Sequence, residues 1–512
     1  MTLSAMATDY KGNLTVSING EGSTQPATIS IVENAGKYNL SILNFMLGEG
    51  ESVLPVGNIV IENVTGAVAG NLTTLYVNKN ITIQKGNAAG IADDAWLGPM
   101  LGEVPVKMSS SFNTNGFLGV NIDIDMVSTL GQVIKVTFEN VGNHFQMPNS
   151  DFETWSNENN APKHWHGFES VKGKLSGTAK SKTKLVSSKN VRPGSKGLTS
   201  AVVTSTKVFT VIANGTMTNG VLNAGSMSAA DASNHSETDL SSTSKDANGD
   251  PFATPMYAKP DSVKFWMRFT QAKAQASYPY AAFNAVITDG TYYQDPENKT
   301  YTNKVAVAAP NKADMKVGDW RLVACPFDYA SHAANGAEAK AILLTVSTNA
   351  TPGQGSYSNG VADSVYVDDL ELVYLADIKS VSFKGATLDL TNTDIDIADD
   401  DVISASDFVV EKIGEDAKVT TLVEANAKGY QAVISVVSGD LNTQKTLVFN
   451  FNKPVWADGD VNHDGVVDLA DVTLLINKVL GADATQLYNP DVNADGNVDV
   501  ADVTTLVSLI LG

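Results

Sequence analysis

Cysteine is almost absent: Cys325 is alone in 512 residues. With no second thiol an internal disulfide is excluded. The surrounding VACPFDY offers neither the cation nor the histidine that a reactive thiolate needs, so a buried free thiol is expected. Long apolar runs are lacking too, and no uninterrupted stretch could cross a bilayer as a helix. Basic residues are few, 35 Lys and Arg against 56 Asp and Glu, for a net charge of −21. A nucleic-acid partner is thereby excluded, because a duplex binder needs a basic face to displace counterions. Neither a Gly-x-Ser-x-Gly elbow nor a zinc signature occurs. What is there is length and apolar content enough for about three or four domains, each with its own core.

The first residues, MTLSAMA, end in the small-x-small pattern Ala5-Met6-Ala7 of a secretory cleavage site, without the charged and long apolar parts that precede one. Two readings stand open: a start upstream with a mature chain from near Thr8, or coincidence. From Asp9 to about Glu139 short strands alternate. Leu14, Val16 and Ile18, then Ile29 and Ile31, then Tyr38, Leu40 and Ile42 share faces, between turn signals at Asn19-Gly20, Ala35-Gly36 and Gly48-Glu49-Gly50. Period two with tight turns predicts an antiparallel meander closing into a barrel. The succession YKGNLTVS, KYNLSILNFMLG and VGNIVIENV resembles the calycin-like β-barrel domain of secreted proteins of anaerobic bacteria, over residues 8–145. Such a barrel either holds a small apolar ligand or is filled by its own side chains.

A second block, residues 148–375, opens with PNSDFETWSNENNAPKHWHGFES and closes with SVYVDDLELVY. Between them polar loops separate β-rich islands, a layout suited to ligand contact. The run from Lys172 to Gly197 carries eight basic residues but no interleaved aromatics, and reads as a solvated loop. His164 and His166 flank Trp165; on a strand they would share one face, as a two-His metal site or simply toward solvent. Asp151-Phe152-Glu153-Thr154-Trp155, Pro162 with Trp165, Arg192 to Gly197, Asn214-Gly215-Thr216 and Val367-Asp368-Asp369-Leu370-Glu371-Leu372 resemble the carbohydrate-metabolism domain of polysaccharide-degrading gut bacteria, a jelly-roll related to galactose-binding-like modules. In such jelly-rolls a carboxylate after the first strand and one in the last often share calcium. Carried over, Glu153 and Asp369 are candidate ligands, with Asp368 a possible substitute, against the plainer role of capping strand ends. Sugar binding calls for flat aromatic faces beside polar groups, and Trp155, Tyr278, Tyr280, Tyr292 and Tyr293, in or beside polar loops, are the ligand-binding candidates. Trp165, Trp266 and Trp320 sit in apolar alternations and are expected in the core.

Residues 376–454 read as alternating strands, ATLDLTNTDIDI, DFVVEKI, YQAVISVV and KTLVFNF, and predict a small immunoglobulin-like sandwich serving as a spacer.

The end of the chain, 457–512, carries ten Asp and one Lys, so nine of the 21 net negative charges lie there. Two copies, 31 residues apart, place oxygen ligands at loop positions 1, 3, 5, 9 and 12: Asp460, Asn462, Asp464, Asp468 and Asp471, then Asp491, Asn493, Asp495, Asp499 and Asp502. Position 6 is glycine in both, Gly465 and Gly496, and position 7 supplies a carbonyl, from Val466 and Asn497. This is the oxygen spacing of a calcium loop. Apolar residues then recur at Val472, Leu475, Ile476, Val479 and Leu480, and at Val503, Leu506, Val507, Ile510 and Leu511, one stripe of an amphipathic helix. Gly481 and Gly512 stand at the expected C-caps. Neither loop is preceded by a helical pattern, so these are half EF-hands.

Duplicated loop-helix units of this kind resemble a type I dockerin. The resemblance implies two calcium ions, two antiparallel helices and docking to a cohesin module, read through Leu469, Ala470, Ile476 and Asn477, then Val500, Ala501, Val507 and Ser508. Well-known members often carry a Ser-Thr pair and a basic pair there; this chain has apolar Leu469-Ala470 and Val500-Ala501. Either an external cohesin or the preceding sandwich would cover such a face. The fold expected is therefore mainly β, with barrel, jelly-roll and small sandwich, and a small helical calcium-binding tail. The function expected is that of a secreted or cell-surface, non-catalytic, carbohydrate-binding assembly protein. A polysaccharide-acting enzyme such as a glycoside hydrolase, whose two facing carboxylates are not visible in the sequence, and small-molecule binding in the barrel are the alternatives.

Overall fold

The computed structural model describes residues 7–48, 53–140, 145–156, 161–182, 185–482 and 487–512, and every statement below concerns these. Ala5 and Met6 of the N-terminal motif, Glu49 and Gly50 of the third turn signal, and residues 183 and 184 of the basic run lie outside them. Two compact units divide the chain: Met1–Val381 with Val410–Thr421 and Ile434–Thr446, and Ser382–Val409 with Leu422–Val433 and Leu447–Gly512.

In the first unit, eight antiparallel strands between Ala7–Ile18 and Gln132–Asn140 follow in sequence order and close, the last pairing with the first, Leu14 opposite Phe138. Closure leaves no edge strand to pair elsewhere. Asn19 and Gly20 both take positive φ, 52° and 94°, as do Ala35 and Gly36, so the two-residue hairpin turns form where the dipeptides predict them. Leu14, Ile29, Leu40, Ile61 and Met108, each no more than 1 % exposed, fill the interior, which is a packed core. Gly12 is required there: a Cβ would lie 2.6 Å from the Phe138 ring and 2.0 Å from the Glu139 carbonyl oxygen.

The jelly-roll is a sandwich of two five-stranded sheets. One runs Gly318–Pro326, Ser262–Thr270, Ser364–Val373, Ser200–Thr204 and Leu185–Ser188. The other runs Thr216–Thr218, Ala341–Ser347, Ala282–Thr288 and Lys304–Ala308, with Thr254–Pro255 added beside Ala341–Ser347. Alternation directs Val263, Phe265, Met267 and Phe269 of one sheet against Phe283, Ala285 and Ile287 of the other. Phe265 and Phe283 stack at 4.1 Å between ring centroids. Trp165, 1 % exposed, joins this core as expected. Trp266 and Trp320 do not: both are half-buried on the outer face of the first sheet, where Arg192 covers Trp266 at 5.2 Å. In Gly318–Pro326, Leu322 shares the outer face with Trp320, so alternation alone leaves the inward face undetermined; in Ser262–Thr270 the alternation of Val263, Phe265, Met267 and Phe269 with Lys264 and Arg268 already directs Trp266 outward, against the expectation.

Residues 376–454 form a three-stranded sheet, Ala386–Thr387, Asp377–Phe383 and Phe408–Ile413, and a four-stranded one, Asp394–Asp396, Gln444–Asn452, Gly429–Val437 and Lys418–Asn426. The parts of this region in the first unit are no mere spacer. Leu441 packs with Leu72, Phe117 and Val437, and the Thr74 and Thr420 hydroxyls share a buried 2.6 Å hydrogen bond. On the jelly-roll side, Asp416 accepts from the Lys259 amide at 3.3 Å, and Asp261 from the Glu415 amide at 2.7 Å. In the second unit, Phe383, Phe408 and Phe451 form an aromatic cluster with centroids 4.7–5.7 Å apart. Two helices, Leu469–Val479 and Val500–Leu511, end that unit. The chain is thus mainly β with a small helical tail.

Candidate functional site

In the tail the two loops repeat one another bond for bond. Asp460 Oδ1 accepts from the Asp464 amide and Oδ2 from the Gly465 amide, at 3.2 and 3.0 Å; Asp491 does the same toward Asp495 and Gly496, at 3.0 and 2.8 Å. Asp471, fully buried, takes the Asn462 and Asp468 amides on its two oxygens at 3.1 and 2.9 Å, and Asp502 takes those of Asn493 and Asp499 at 3.1 and 2.8 Å. Those amides hold the Asp502 carboxyl below the ordinary aspartate pKa. Positive φ falls at the fourth and sixth positions of both loops: 58° at His463 and 91° at Gly465, 56° at Ala494 and 90° at Gly496. Asp468 and Asp499 are also helix N-caps, with Asp471 and Asp502 completing capping boxes. Loop closure and helix initiation therefore share residues.

Among the described residues no group of three or more His, Cys, Asp or Glu side chains stands gathered as a metal-holding set. The donor set fits a hard cation all the same. Each loop supplies four carboxylates, an Asn and a main-chain carbonyl, with its turn already formed by Gly465 or Gly496. Asp460, Asn462, Asp464, Val466, Asp468 and Asp471 would hold one calcium ion; Asp491, Asn493, Asp495, Asn497, Asp499 and Asp502 would hold the other.

The helices bury only part of their stripes. Val472, Leu475 and Leu506 join Val461 in a small core, whereas Leu480 and Leu511 are exposed. All eight positions expected to read a partner face solvent, with Leu469 73 %, Val500 65 %, Ile476 39 % and Val507 36 % exposed. Two short helices enclose too little volume to cover a stripe this long. The first loop has a support that the second lacks. His463 lies between the Trp456 and Tyr488 rings, with centroids 4.5 and 3.9 Å away and planes within 17° and 12° of parallel. Its counterpart is Ala494.

In the jelly-roll, Glu153 and Asp369 are each held by the segment between the second-block strands. Glu153 Oε1 accepts from the Leu198 and Thr199 amides, both at 2.9 Å, and Asp369 Oδ2 pairs with the Arg192 guanidinium. Among the described contacts, Arg192–Thr199 bridges these carboxylates. Neighbouring Asp368 is buried, and desolvation raises its pKa to about 6. His164 and His166 do not share a strand face: His164 lies 3.4 Å from Asp250, while His166 is buried, 3.6 Å from Asp246 and 3.1 Å from the Pro251 carbonyl oxygen. Burial lowers the His166 pKa. Cys325 is buried as expected, and desolvation pushes its thiol to about 11.

The five aromatic candidates do not converge. The Trp155 indole N–H donates to the Thr199 hydroxyl at 2.9 Å. Lys312 sits 4.8 Å over the Tyr280 ring, and Tyr278 offers its carbonyl to Gln271 at 2.9 Å. Tyr292 and Tyr293 lie near a cleft that sequence reasoning missed, on the outer face of the sheet containing Ala282–Thr288 and Ala341–Ser347. One part, about 600 Å³, is lined by Tyr293, Asp295, Glu297, Lys304 and Asp328; a second, about 420 Å³, by Asn214, Ser236, Thr345, His235 and apolar walls. Asn284 and Asp295 border both. Burial raises the Asp295 pKa; Glu297 is tied to Lys304 at 2.7 Å and to the Tyr293 hydroxyl at 3.1 Å. Tyr292 donates to Glu237 at 2.9 Å. Glu237 is also 2.9 Å from His235, which holds its carboxyl below the usual range. Burial opposes charge on His235, but its bonds to Glu237 and the Ala232 carbonyl outweigh this and raise its pKa.

Residues 6–141 match the calycin-like beta-barrel domain family, and residues 458–511 the dockerin type I domain family. The chain thus carries a calycin-like barrel and a C-terminal type I dockerin domain. Dockerins of this type bind calcium and indicate a cohesin partner, and proteins bearing them are typically extracellular or on the cell surface. No curated protein matches. Among solved structures, a Bacteroides fragilis protein assigned to the outer membrane is 10 % identical with a TM-score of 0.18, covering 67 % of this chain and 96 % of its own. The M60 catalytic domain with two CBM51 domains from Clostridium perfringens is 13 % identical with a TM-score of 0.15, covering 88 % of this chain and 40 % of its own. TM-scores this low do not establish a common fold.

Proposed function

We propose that this is a secreted or cell-surface, non-catalytic binding and assembly protein, whose jelly-roll contacts glycan and whose tail docks with calcium to a cohesin. The observation that carries the docking half is the pairing of two matched loops with eight exposed partner-reading residues. Calcium drawn into each loop would offset the repulsion of converging carboxylates and so hold the helix start, because the ninth and twelfth positions belong to both. The helices then present Leu469, Ala470, Ile476 and Asn477, with Val500, Ala501, Val507 and Ser508, as a fixed surface. With apolar residues where hydroxyl pairs are usual, the complementary cohesin face would be apolar too. A jelly-roll calcium at Glu153 and Asp369 belongs to the same reading and would compete with Arg192 for Asp369.

The test is calorimetric titration of the full chain with a panel of type I cohesins, with calcium and with chelator. Binding that chelation abolishes and that Leu469→Asp with Val500→Asp weakens at least 100-fold is the expected result. A chelator-insensitive complex would refute it.

A hydrolase reading has one observation in its favour: Asp295, with its raised pKa, shares a cleft with Glu297. Release of reducing sugar by the wild type, lost in Asp295→Asn, would replace the non-catalytic reading by this one.

A further inference from the structure

We propose that the glycan is held in the roofed part of the cleft, over Ala282, Asn284, Thr345 and Ser347, and that this site takes one neutral, hydroxyl-bearing sugar ring at a chain end. The inference rests on the glycan-contact reading and assigns its place and ligand class.

The outer face of this sheet is unusual in its polarity. Thr345 faces Asn284 across the strands and Ser347 faces Ala282, while Val286 and Leu343 further along are covered by Tyr293 and Tyr301. Above the polar part, the hairpin Thr206–Val208 and Val211–Ala213, the helix Ser176–Lys180 and the loop around Pro352 enclose about 420 Å³, within the range of small-molecule sites.

Three residues lining this cavity carry a buried side-chain oxygen with no hydrogen-bond partner among the described residues: Asn214 Oδ1, Ser236 Oγ and Thr345 Oγ1. Ser236 is 1 % exposed. Buried polar atoms are almost always paired, and each left unpaired costs about 1–3 kcal/mol. Their roles can be assigned. Asn214 commits its amide nitrogen to Ser347 Oγ at 3.1 Å and to the Asn349 carbonyl at 2.8 Å, which leaves Oδ1 as an acceptor. The two hydroxyls can give or take a proton. A ligand bearing hydroxyls, each both donor and acceptor, satisfies all three. The remaining wall, with Val211, Leu222, Met227 and Pro352, suits the C–H faces of a ring.

The lining itself includes no Lys or Arg among the described residues, and its His235 is paired with Glu237 at 2.9 Å, while burial biases Asp295 toward its neutral acid, so no lining cation is set to receive an acidic sugar. The roof on several sides suits a ring entering from its end and opposes a chain lying across the face.

The full-length protein would be titrated with neutral oligosaccharides, with free galactose, glucose and N-acetylglucosamine as competitors, and with galacturonate. Expected is retention of a neutral oligosaccharide, displaced by one of the free neutral sugars and not by galacturonate. Ser236→Ala and Thr345→Val should each weaken it at least tenfold with unchanged circular dichroism. Thr345→Val keeps the side-chain shape, so loss of fold is not the expected cause. If a neutral glycan is retained but neither variant weakens it, or free sugars do not compete, this site is wrong while the glycan-contact reading survives. If only galacturonate binds, the ligand class is wrong. Retention of no glycan by the wild type overturns both.

Discussion

Asp363 is a residue on which three loops of the jelly-roll depend. Its oxygens accept from the half-buried Ala272 amide at 2.8 Å and, in the interior, from the Ser356 amide at 2.6 Å and the Ser356 hydroxyl, while its own amide donates to the buried Ser205 hydroxyl at 2.9 Å. Replacing Asp363 by Ala leaves these donors unpaired, so a loss of about 3 kcal/mol is expected in urea denaturation. Asp363→Asn keeps one acceptor oxygen and should lose less; equal stability of all three proteins would contradict the assignment. Nothing in the sequence marks Asp363, since its partners come from positions 205, 272 and 356. The cleft hid for the same reason: Asn214, Ser236, Asp295 and Thr345 come from four separate strands or loops with no local pattern. Tyr292 and Tyr293 were legible only as loop aromatics, and their neighbours Glu237 and Glu297 gave no signal of their own.

At the scale of elements, the calcium loops were legible because coordination imposes fixed spacing within twelve residues, and the first hairpin turn because positive φ selects Asn and Gly; in the second only Gly36 carries that signal, since Ala35 takes positive φ as well. Trp320 escapes alternation because Leu322 shares its outer face, whereas Trp266 stands between Lys264 and Arg268, whose pattern already marks that face as outward. The asymmetry between the loops was not visible in their ligands, which match position for position, but follows from the rings around His463. Stacking of His463 between Trp456 and Tyr488 braces the first loop, and Ala494 braces nothing. On titration with chelator, amide exchange protection should therefore fall in the helix Val500–Leu511 before the helix Leu469–Val479. Simultaneous loss would show that the stack adds no local stability. His463→Ala should remove the difference.

For the molecule as a whole, the sequence pattern suggested separate domains in a row, since strand periodicity reports each core and not the contacts between cores. In the first unit, however, Leu441 seats against Leu72 and Phe117 of the barrel, and a Cβ at Gly119 would lie 2.1 Å from the Leu441 carbonyl oxygen. Leu441→Ala should cost about 2–4 kcal/mol and split a joint thermal transition of barrel and sandwich into two in calorimetry. A single unshifted transition would mean that the contact does not couple them. The second unit contains one indole, that of Trp456, because the other five tryptophans lie in the first. A tryptophan stacked on a histidine within a calcium loop is an optical gauge set in the molecule: its emission should brighten or shift as chelation frees the ring. Trp456→Phe should silence that change, so occupancy of the first loop can be followed in the intact chain without any added dye.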